Sequence, residues 1–503
     1  MVPLRERLLL SACALAAFGW SLAGGFHFDD YSIFSDPVLT SPWGWLELWR
    51  PLQTRPLTWF TFWLNYSLDG QEPLGYHLLN LLLHLGCVLL LRDVVARLAP
   101  ARVALVAALM FAVHPLQSEA VNYIFARGNL LMTVFSLLAL RSWMKGRHWH
   151  AAAWFLPALL AKEECAAFPL FLLLLHIAIS RNRKELAPIA SMGALALAAG
   201  LRVIWATGRI AEAGSGFGAG VAPSDYLAAQ GWAILRYLRL FLIPAGFTVD
   251  PDIRTRFALV AWALLAALAL IALRRFDRAR EGFWFLGALA LLSASSSVFP
   301  AADLAADRRM YLPLSALCVA AAYPLAGVRR GYLVAVVGIL TLASIWRCEV
   351  WRTERSLWSE AARMAPEKVR PMIQLSRAVR PESALLLLEN ARKIAPDDPA
   401  VASALGRSYM ESGMYAQALA EFGRALALSP GEPKAMNNRG AVLLALGQRD
   451  AAIADFHRAL SRDPCLFDAL INLRRTGIAV LAPAGCRFTA GQAQELRENV
   501  TAR

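Results

Sequence analysis

Along the first two thirds of the chain, apolar runs about as long as a bilayer is thick alternate with short polar turns rich in arginine and carboxylates. Runs at 8–23, 74–91, 130–143, 188–205, 257–273, 283–299, 311–326 and 332–346 predict membrane-spanning helices. Three shorter runs, 103–113, 151–161 and 166–179, predict tilted helices packed inside a bundle. The run 226–243 carries Arg236 and Arg239 at its middle, where an unpaired charge is costly in lipid. It is therefore expected at the interface, amphipathic or re-entrant. The others make an all-α bundle of about eleven spans.

From Pro399 the pattern changes to a 34-residue period, with Gly406/Gly440, Gly413/Gly447, Ala418/Ala452, Phe422/Phe456, Ala425/Ala459 and Pro430/Pro464 in register. This resembles the tetratricopeptide repeat. Small residues let two antiparallel helices approach, phenylalanine fills the gap between them, and proline ends the second helix. A weaker copy keeping Ala384, Leu388, Ala391 and Pro396 precedes, and a partial one starts at Pro464. Residues 1–347 are thus read as the membrane domain and 348–503 as an α-solenoid whose concave face holds an extended peptide. The bland alternative is an architectural or oligomerising array.

Composition adds topology. The chain is 57% hydrophobic and 17% charged, too apolar in its first two thirds for a soluble globule. The net charge of +14 sits in arginine clusters between apolar runs, so it reads as the positive-inside signal and not as a nucleic-acid surface. Arg5 and Arg7 precede the first run, and Ser21-Leu22-Ala23 resembles a cleavage site. A retained signal anchor is expected instead, because cleavage would leave Asp29 and Asp30 on a loose tail. With the N-terminus inside and 226–243 not crossing, Arg92/Arg97/Arg102, Arg141/Lys145/Arg147, Arg181/Arg183/Lys184, Arg274/Arg275/Arg278/Arg280 and Arg329/Arg330 all face the cytoplasm. The acidic pair and everything after 346 then lie on the opposite side. The seven cysteines show no metal-binding spacing. Cys465 and Cys486 could pair in an oxidising compartment, but two free thiols are expected.

The outer loops hold the candidate chemistry. Asp29 and Asp30 stand just past the first span, where a carboxylate near lipid is costly unless it has work to do. The loop from 27 to 73 is rich in tryptophan, which prefers the headgroup zone, and carries Arg55. His77, Asn80 and His84 share a helical face, a stripe suited to interhelical hydrogen bonds. The next outer loops bring His114, Glu119 and Arg127, then Lys162, Glu163 and Glu164, and finally Asp307 and Arg308. Taken singly, each cluster is accounted for by a solvated helix end. Together they put carboxylates and guanidiniums on one face, as transfer from an anionic lipid carrier requires. The glycine-rich stretch 214–220 is read as flexible, not as a phosphate cradle.

The residues Phe28-Asp29-Asp30, Arg55-Pro56-Leu57-Thr58, Gly75-Tyr76-His77-Leu78-Leu79-Asn80, His114-Pro115 with Glu119 and Arg127, Lys162-Glu163, the stretch 237–250, and Asp307-Arg308 with Tyr311-Leu312-Pro313 resemble the transmembrane and tetratricopeptide-repeat O-mannosyltransferases and their bacterial relatives. The resemblance implies transfer of a sugar, mannose by analogy, from polyprenyl or dolichyl phosphate to Ser or Thr of a protein. Two departures stand out: the solenoid is short, and Arg309 occupies a position where that family has an aromatic residue.

A hydroxyl is a poor nucleophile, so a carboxylate must take its proton as it attacks the anomeric carbon. Asp29 is the expected base, with Asp30 orienting it or the acceptor. If both ionise side by side, one pKa rises. A guanidinium is expected on the departing phosphate, Arg127 first and Arg55 and Arg308 behind it. His114, Glu119, Lys162, Glu163 and Asp307 are further outer-face candidates. Direct attack inverts the anomeric centre. No cofactor and no obligatory metal are expected, His114 with Glu119 being the metal alternative. The expected partners are the lipid-linked donor, an acceptor segment on the repeats, and the membrane. The expected place is a bacterial inner membrane with periplasmic repeats, or the endoplasmic reticulum with lumenal repeats in a eukaryote. Two other readings are an inactive membrane-anchored repeat scaffold and a lipid-linked glycan ligase or transporter.

Overall fold

The computed structural model describes residues 2–50, 53–209, 216, 220–253, 255–277 and 280–501. Most of the stretch 214–220 and Arg278 lie outside the described residues. The chain divides into two compact units, one of Met1–Asp30 with Trp43–Thr353, the other of Tyr31–Pro42 with Glu354–Arg503. The turn to the second unit falls a few residues after the expected 347, because Trp351 is buried in the first.

The first unit is a helical bundle. Among the described residues, six helices are long and apolar enough to cross a membrane: Leu4–Ala23, Pro73–Val95, Ile124–Trp143, Glu163–Ser180, Arg183–Thr207 and Arg330–Val350. A seventh is added if Ala101–Val113 and Pro115–Asn122, bent by 53° at His114, make one span. The remaining expected spans form shorter helices, His148–Ala161, Ala258–Leu273, Glu281–Leu292 and Tyr311–Leu325. Leu259, Leu270, Val334 and Leu342 point outward, an apolar exterior of the kind lipid covers. Trp43, Leu46 and Trp49 are exposed around the short helix Gly44–Trp49. The first helix is built into the core through Leu10, Ala14, Ala17 and Phe18, against Ala101–Val113 and Arg330–Val350.

One end of the bundle is closed by ion pairs, Arg92 with Glu6 at 2.7 Å and Asp93 with both Arg97 and Arg141. The other end gathers the turns that carry Asp29, Glu119, Lys162 and Arg308. The stripe expected on Pro73–Val95 is buried and bonded across helices: His84 Nδ1 meets the Tyr311 hydroxyl at 2.7 Å, and Asn80 reaches Arg127.

The run 226–243, expected not to cross, forms the helix Pro223–Leu242, which is not among the candidate spans of the described residues. Its Arg236 is half-buried and paired, because Asp307 supplies the counter-charge 71 residues along the chain, so the cost of that charge is offset. Tyr226, Gln230 and Tyr237, on one face, bond the loop that carries Arg308: Gln230 Nε2 donates to the Leu304 carbonyl at 2.9 Å, and the Ala306 amide donates to the Tyr237 hydroxyl at 2.8 Å.

The second unit repeats a helix pair. Pro399–Glu411 and Tyr415–Leu428 form one repeat, Pro433–Ala445 and Arg449–Arg462 the next. Val369–Ser376 with Pro381–Ile394 precedes them, and Phe467–Arg475 follows. A Cβ on Gly406 would lie 2.9 Å from the Phe422 ring, and one on Gly440 2.7 Å from the Phe456 ring, so the close approach requires glycine.

Cys465 and Cys486, expected as free thiols, are joined in a disulfide; their Cα atoms lie 5.3 Å apart, within bridging range. The pairing was invisible in the sequence because two cysteines 21 residues apart do not show how the segment after Phe467–Arg475 folds back. Replacing Cys486 by Ser is expected to cost about 3 kcal/mol through the freed loop. Thermal unfolding of the full chain, with and without reductant, measures it; equal melting of oxidised and Cys486→Ser protein contradicts the prediction.

Candidate active site

The two aspartates part company in the structure. Asp30 is fully buried and accepts the backbone amides of His27 at 2.9 Å and Phe125 at 2.7 Å. Burial holds its carboxyl well above the usual range, and the charge of Asp29 adds to the rise. Asp30 thus ties the turn to the loop opposite. Asp29 is exposed, and its Oδ2 accepts the Tyr123 hydroxyl at 2.8 Å. Phe28, immediately before it, has φ of 44°, a strained conformation for a bulky residue. Its ring packs edge-on against Tyr123 and Trp351, which holds the turn there.

Tyr123 is the residue that sequence reasoning missed. Burial, with Asp29 and Asp30 nearby, pushes its phenol well up, so it keeps the proton it donates. The ring stacks on Trp351 with centroids 5.8 Å apart, and the Arg308 guanidinium lies 5.8 Å from the ring centroid on the cation–π scale. His27 braces Trp351 from below: it is buried, its ring nitrogen Nε2 lies 2.6 Å from the Trp351 carbonyl, and burial pulls its pKa down to about 4. A neutral imidazole is the donor there. A tyrosine between two loop residues carries no sequence signal that sets it apart.

Arg308 is anchored by Glu119, which accepts both its guanidinium and its backbone amide, the latter at 3.1 Å. Asp303 holds the other guanidinium nitrogen at 3.3 Å. Burial works against the charge, and Glu119 with Asp303 outweighs it, so Arg308 stays protonated. The neighbouring Arg309 donates to the Asp303 carbonyl at 2.8 Å and the Tyr226 hydroxyl at 3.1 Å, a loop-bracing role. Arg55, at φ of 57°, grips Glu163 in a two-pronged pair, Nε to Oε2 at 2.9 Å. Lys162 Nζ is buried between Asn129 Oδ1 at 2.8 Å and Glu164 Oε1 at 3.2 Å. Burial pulls its pKa down to about 8 against Glu164, and Arg55 and Arg308 add to the fall. Arg55, Lys162 and Arg308 therefore feel one another, and both arginines remain partly exposed.

Three candidates sit elsewhere. Arg127, the first choice for the donor phosphate, is fully enclosed: Nε donates to Asn80 Oδ1 at 2.8 Å, Nη1 to the Thr61 carbonyl at 3.2 Å and Nη2 to the Tyr76 carbonyl at 3.0 Å. The Phe62 ring covers it at 4.7 Å. It is a positioning residue in this geometry, since a guanidinium spent on protein carbonyls has little left for a ligand. His114 is buried, with Nδ1 accepting from the Leu116 amide and Nε2 3.1 Å from the Phe241 carbonyl. Glu119 is occupied by Arg308. Asp307 is taken by Arg236. Among the described residues no three His, Cys, Asp or Glu side chains converge as metal ligands.

Fold and site define a multi-span helical protein with a charged basin at one end and tetratricopeptide repeats at its C-terminus. The tetratricopeptide-repeat family models match residues 377–436 and 433–464. The chain is 26% identical over 421 residues to Protein O-mannosyl-transferase F38B6.6 of Caenorhabditis elegans, covering 75% of this chain and 60% of that one. It is 27% identical to Protein O-mannosyl-transferase Tmtc3 of Drosophila melanogaster, covering 84% of this chain and 59% of the relative, and 34% identical over 160 residues to Protein O-mannosyl-transferase TMTC3 of Mus musculus, covering 29% and 17%. The homologues are thus TMTC-family protein O-mannosyl-transferases, as the resemblance implied. The chain spans about 60% of the length of the first two of these relatives. Among solved structures, MamA aligns over 29% of this chain and 81% of its own at 17% identity and a TM-score of 0.23, too low to carry argument.

Proposed function

We propose that this chain transfers a sugar, mannose by analogy with its named relatives, from a polyprenyl or dolichyl phosphate to Ser or Thr of extracytoplasmic proteins. The observation that carries the reading is Asp29, an exposed carboxylate fixed through Tyr123 beside the partly exposed Arg308. Asp29 takes the hydroxyl proton as the acceptor oxygen bonds to the anomeric carbon. The carbon–oxygen bond to phosphate breaks, its electron pair leaves with the lipid phosphate, and the configuration inverts. Arg308, with Arg55 behind it, meets the charge that develops on the leaving group. Glu119 and Glu163 hold these guanidiniums in place before substrate arrives, and no obligatory metal enters the scheme.

The basin lies at the opposite end of the bundle from the Arg92–Asp93–Arg141 cluster, which supports an extracytoplasmic site under the positive-inside rule. The Cys465–Cys486 disulfide supports an oxidising compartment for the repeats, the bacterial periplasm or a lumen. The repeats present acceptor polypeptide. Purified protein given polyprenyl-phosphate mannose and extracts of a deletion strain is expected to put hexose on Ser or Thr peptides. Label in lipid or polymer instead would make it a glycan ligase, and no label in any fraction would make it a scaffold.

A further inference from the structure

Arg308 is met by two carboxylates of different kinds. The Glu119 side chain is only 4% exposed and accepts both the guanidinium and the Arg308 backbone amide, which makes it part of the loop's frame. Asp303 is 31% exposed and accepts from the other guanidinium nitrogen, Nη2, at 3.3 Å. One carboxylate is enough to neutralise and orient a guanidinium; the second tips the Arg308 centre towards negative charge. Asp29 adds to this from the far side of Tyr123, whose hydroxyl it accepts at 2.8 Å and whose ring centroid lies 5.8 Å from Arg308. The other charges nearby are taken: Asp307 pairs with Arg236, and Arg309 faces carbonyls and the Tyr226 hydroxyl.

Asp303 is also held in place, and by its backbone. Arg309 Nη2 donates to the Asp303 carbonyl at 2.8 Å. The next carbonyl, that of Leu304, accepts from Gln230 Nε2 at 2.9 Å and from Arg309 Nη1 at 3.3 Å. Two residues further, the Ala306 amide donates to the Tyr237 hydroxyl at 2.8 Å. Arg309, which departs from the family pattern, is thus what anchors the residue that shares Arg308. A phosphate arriving on Arg308 meets a carboxylate whose backbone does not retreat, and the two anions stand side by side.

The two ends of the reaction differ in charge. The donor is a phosphodiester with one negative charge, whereas the lipid phosphate left behind is a monoester with a charge of about −1.5 to −2 at neutral pH. Repulsion from a fixed carboxylate grows in proportion to that charge. We propose that Asp303 is a specificity residue that makes the Arg308 centre favour the singly charged phosphodiester over the doubly charged phosphate monoester, so that the used carrier is expelled. The inference rests on the transferase reading above and adds to it a cause for product release.

The test is equilibrium binding, to the full-length protein in nonionic detergent, of polyprenyl phosphate and of its methyl diester, which share a lipid and differ in charge. At about pH 8 the diester is expected to bind about tenfold more tightly, and at about pH 5, where the monoester keeps a single charge, about equally. Asp303→Asn is expected to bring the monoester within about twofold of the diester at the higher pH, and Asp303→Glu to keep the preference. Arg309 bonds the Asp303 carbonyl, which every substitution retains, so the melting temperature should stay unchanged. Equal binding of the two lipids by the parent protein, or a diester preference that survives Asp303→Asn, overturns the proposal. So does weaker binding of both lipids at an unchanged ratio, the mark of a mere brace for Arg308. Asp29→Asn protein must still show the preference; its loss there would give the effect to Asp29 and overturn the assignment. If Arg308→Gln leaves the binding of both lipids untouched, the transferase site falls together with the proposal, whereas Arg308-dependent binding without charge discrimination sinks the role of Asp303 alone.

Discussion

Asp29→Asn is expected to lower sugar transfer by about 10²- to 10⁴-fold, the range a general base supplies, with donor binding and melting temperature unchanged. The amide keeps the shape and still accepts the Tyr123 hydroxyl, but it cannot take a proton. Because Asp29 is exposed and Asp30 makes the bonds that fix the turn, the loss should be purely chemical. Asp30→Asn provides the contrast. Its two oxygens accept two backbone amides, so an amide nitrogen must face one of them, and the defect should appear as a loosened fold at a cost of about 1–3 kcal/mol. Single-turnover transfer and thermal unfolding on both variants separate the roles; equal activity of Asp29→Asn and the parent protein would remove the base.

Arg127→Met is expected to cost about 3–5 kcal/mol and to reduce the yield of monodisperse protein. The substitution leaves Asn80 Oδ1 and the carbonyls of Thr61 and Tyr76 without their donor in a dry interior. Asn80 also faces the carbonyls of Val121 and Tyr123, so the loss should reach the loop that carries the Asp29 anchor. Normal folding with weakened donor binding would instead return Arg127 to the phosphate.

The contrast between these residues marks what the sequence makes legible. Periodicity exposed the bundle, the repeats and the His77–Asn80–His84 face, because a helix writes its geometry locally. Charge density located the end of the bundle where the charged loops gather. What remained hidden was burial and long-range pairing: nothing local distinguishes Asp29 from Asp30, or an enclosed Arg127 from an open Arg308. The same holds for Arg236, whose partner lies 71 residues away, and for Cys465, whose partner lies 21 away. Each depends on how distant segments come together.

The glycines at 406 and 440 set something larger than a local fit. Each repeat is seated only on its neighbours, so the spacing inside one helix pair fixes the angle at which the next is stacked. One added methyl at Gly406 would wedge that pair against Phe422 and swing every later repeat with it. The pitch of the superhelix, and the reach between successive points along its inside, is thus governed by two missing carbon atoms.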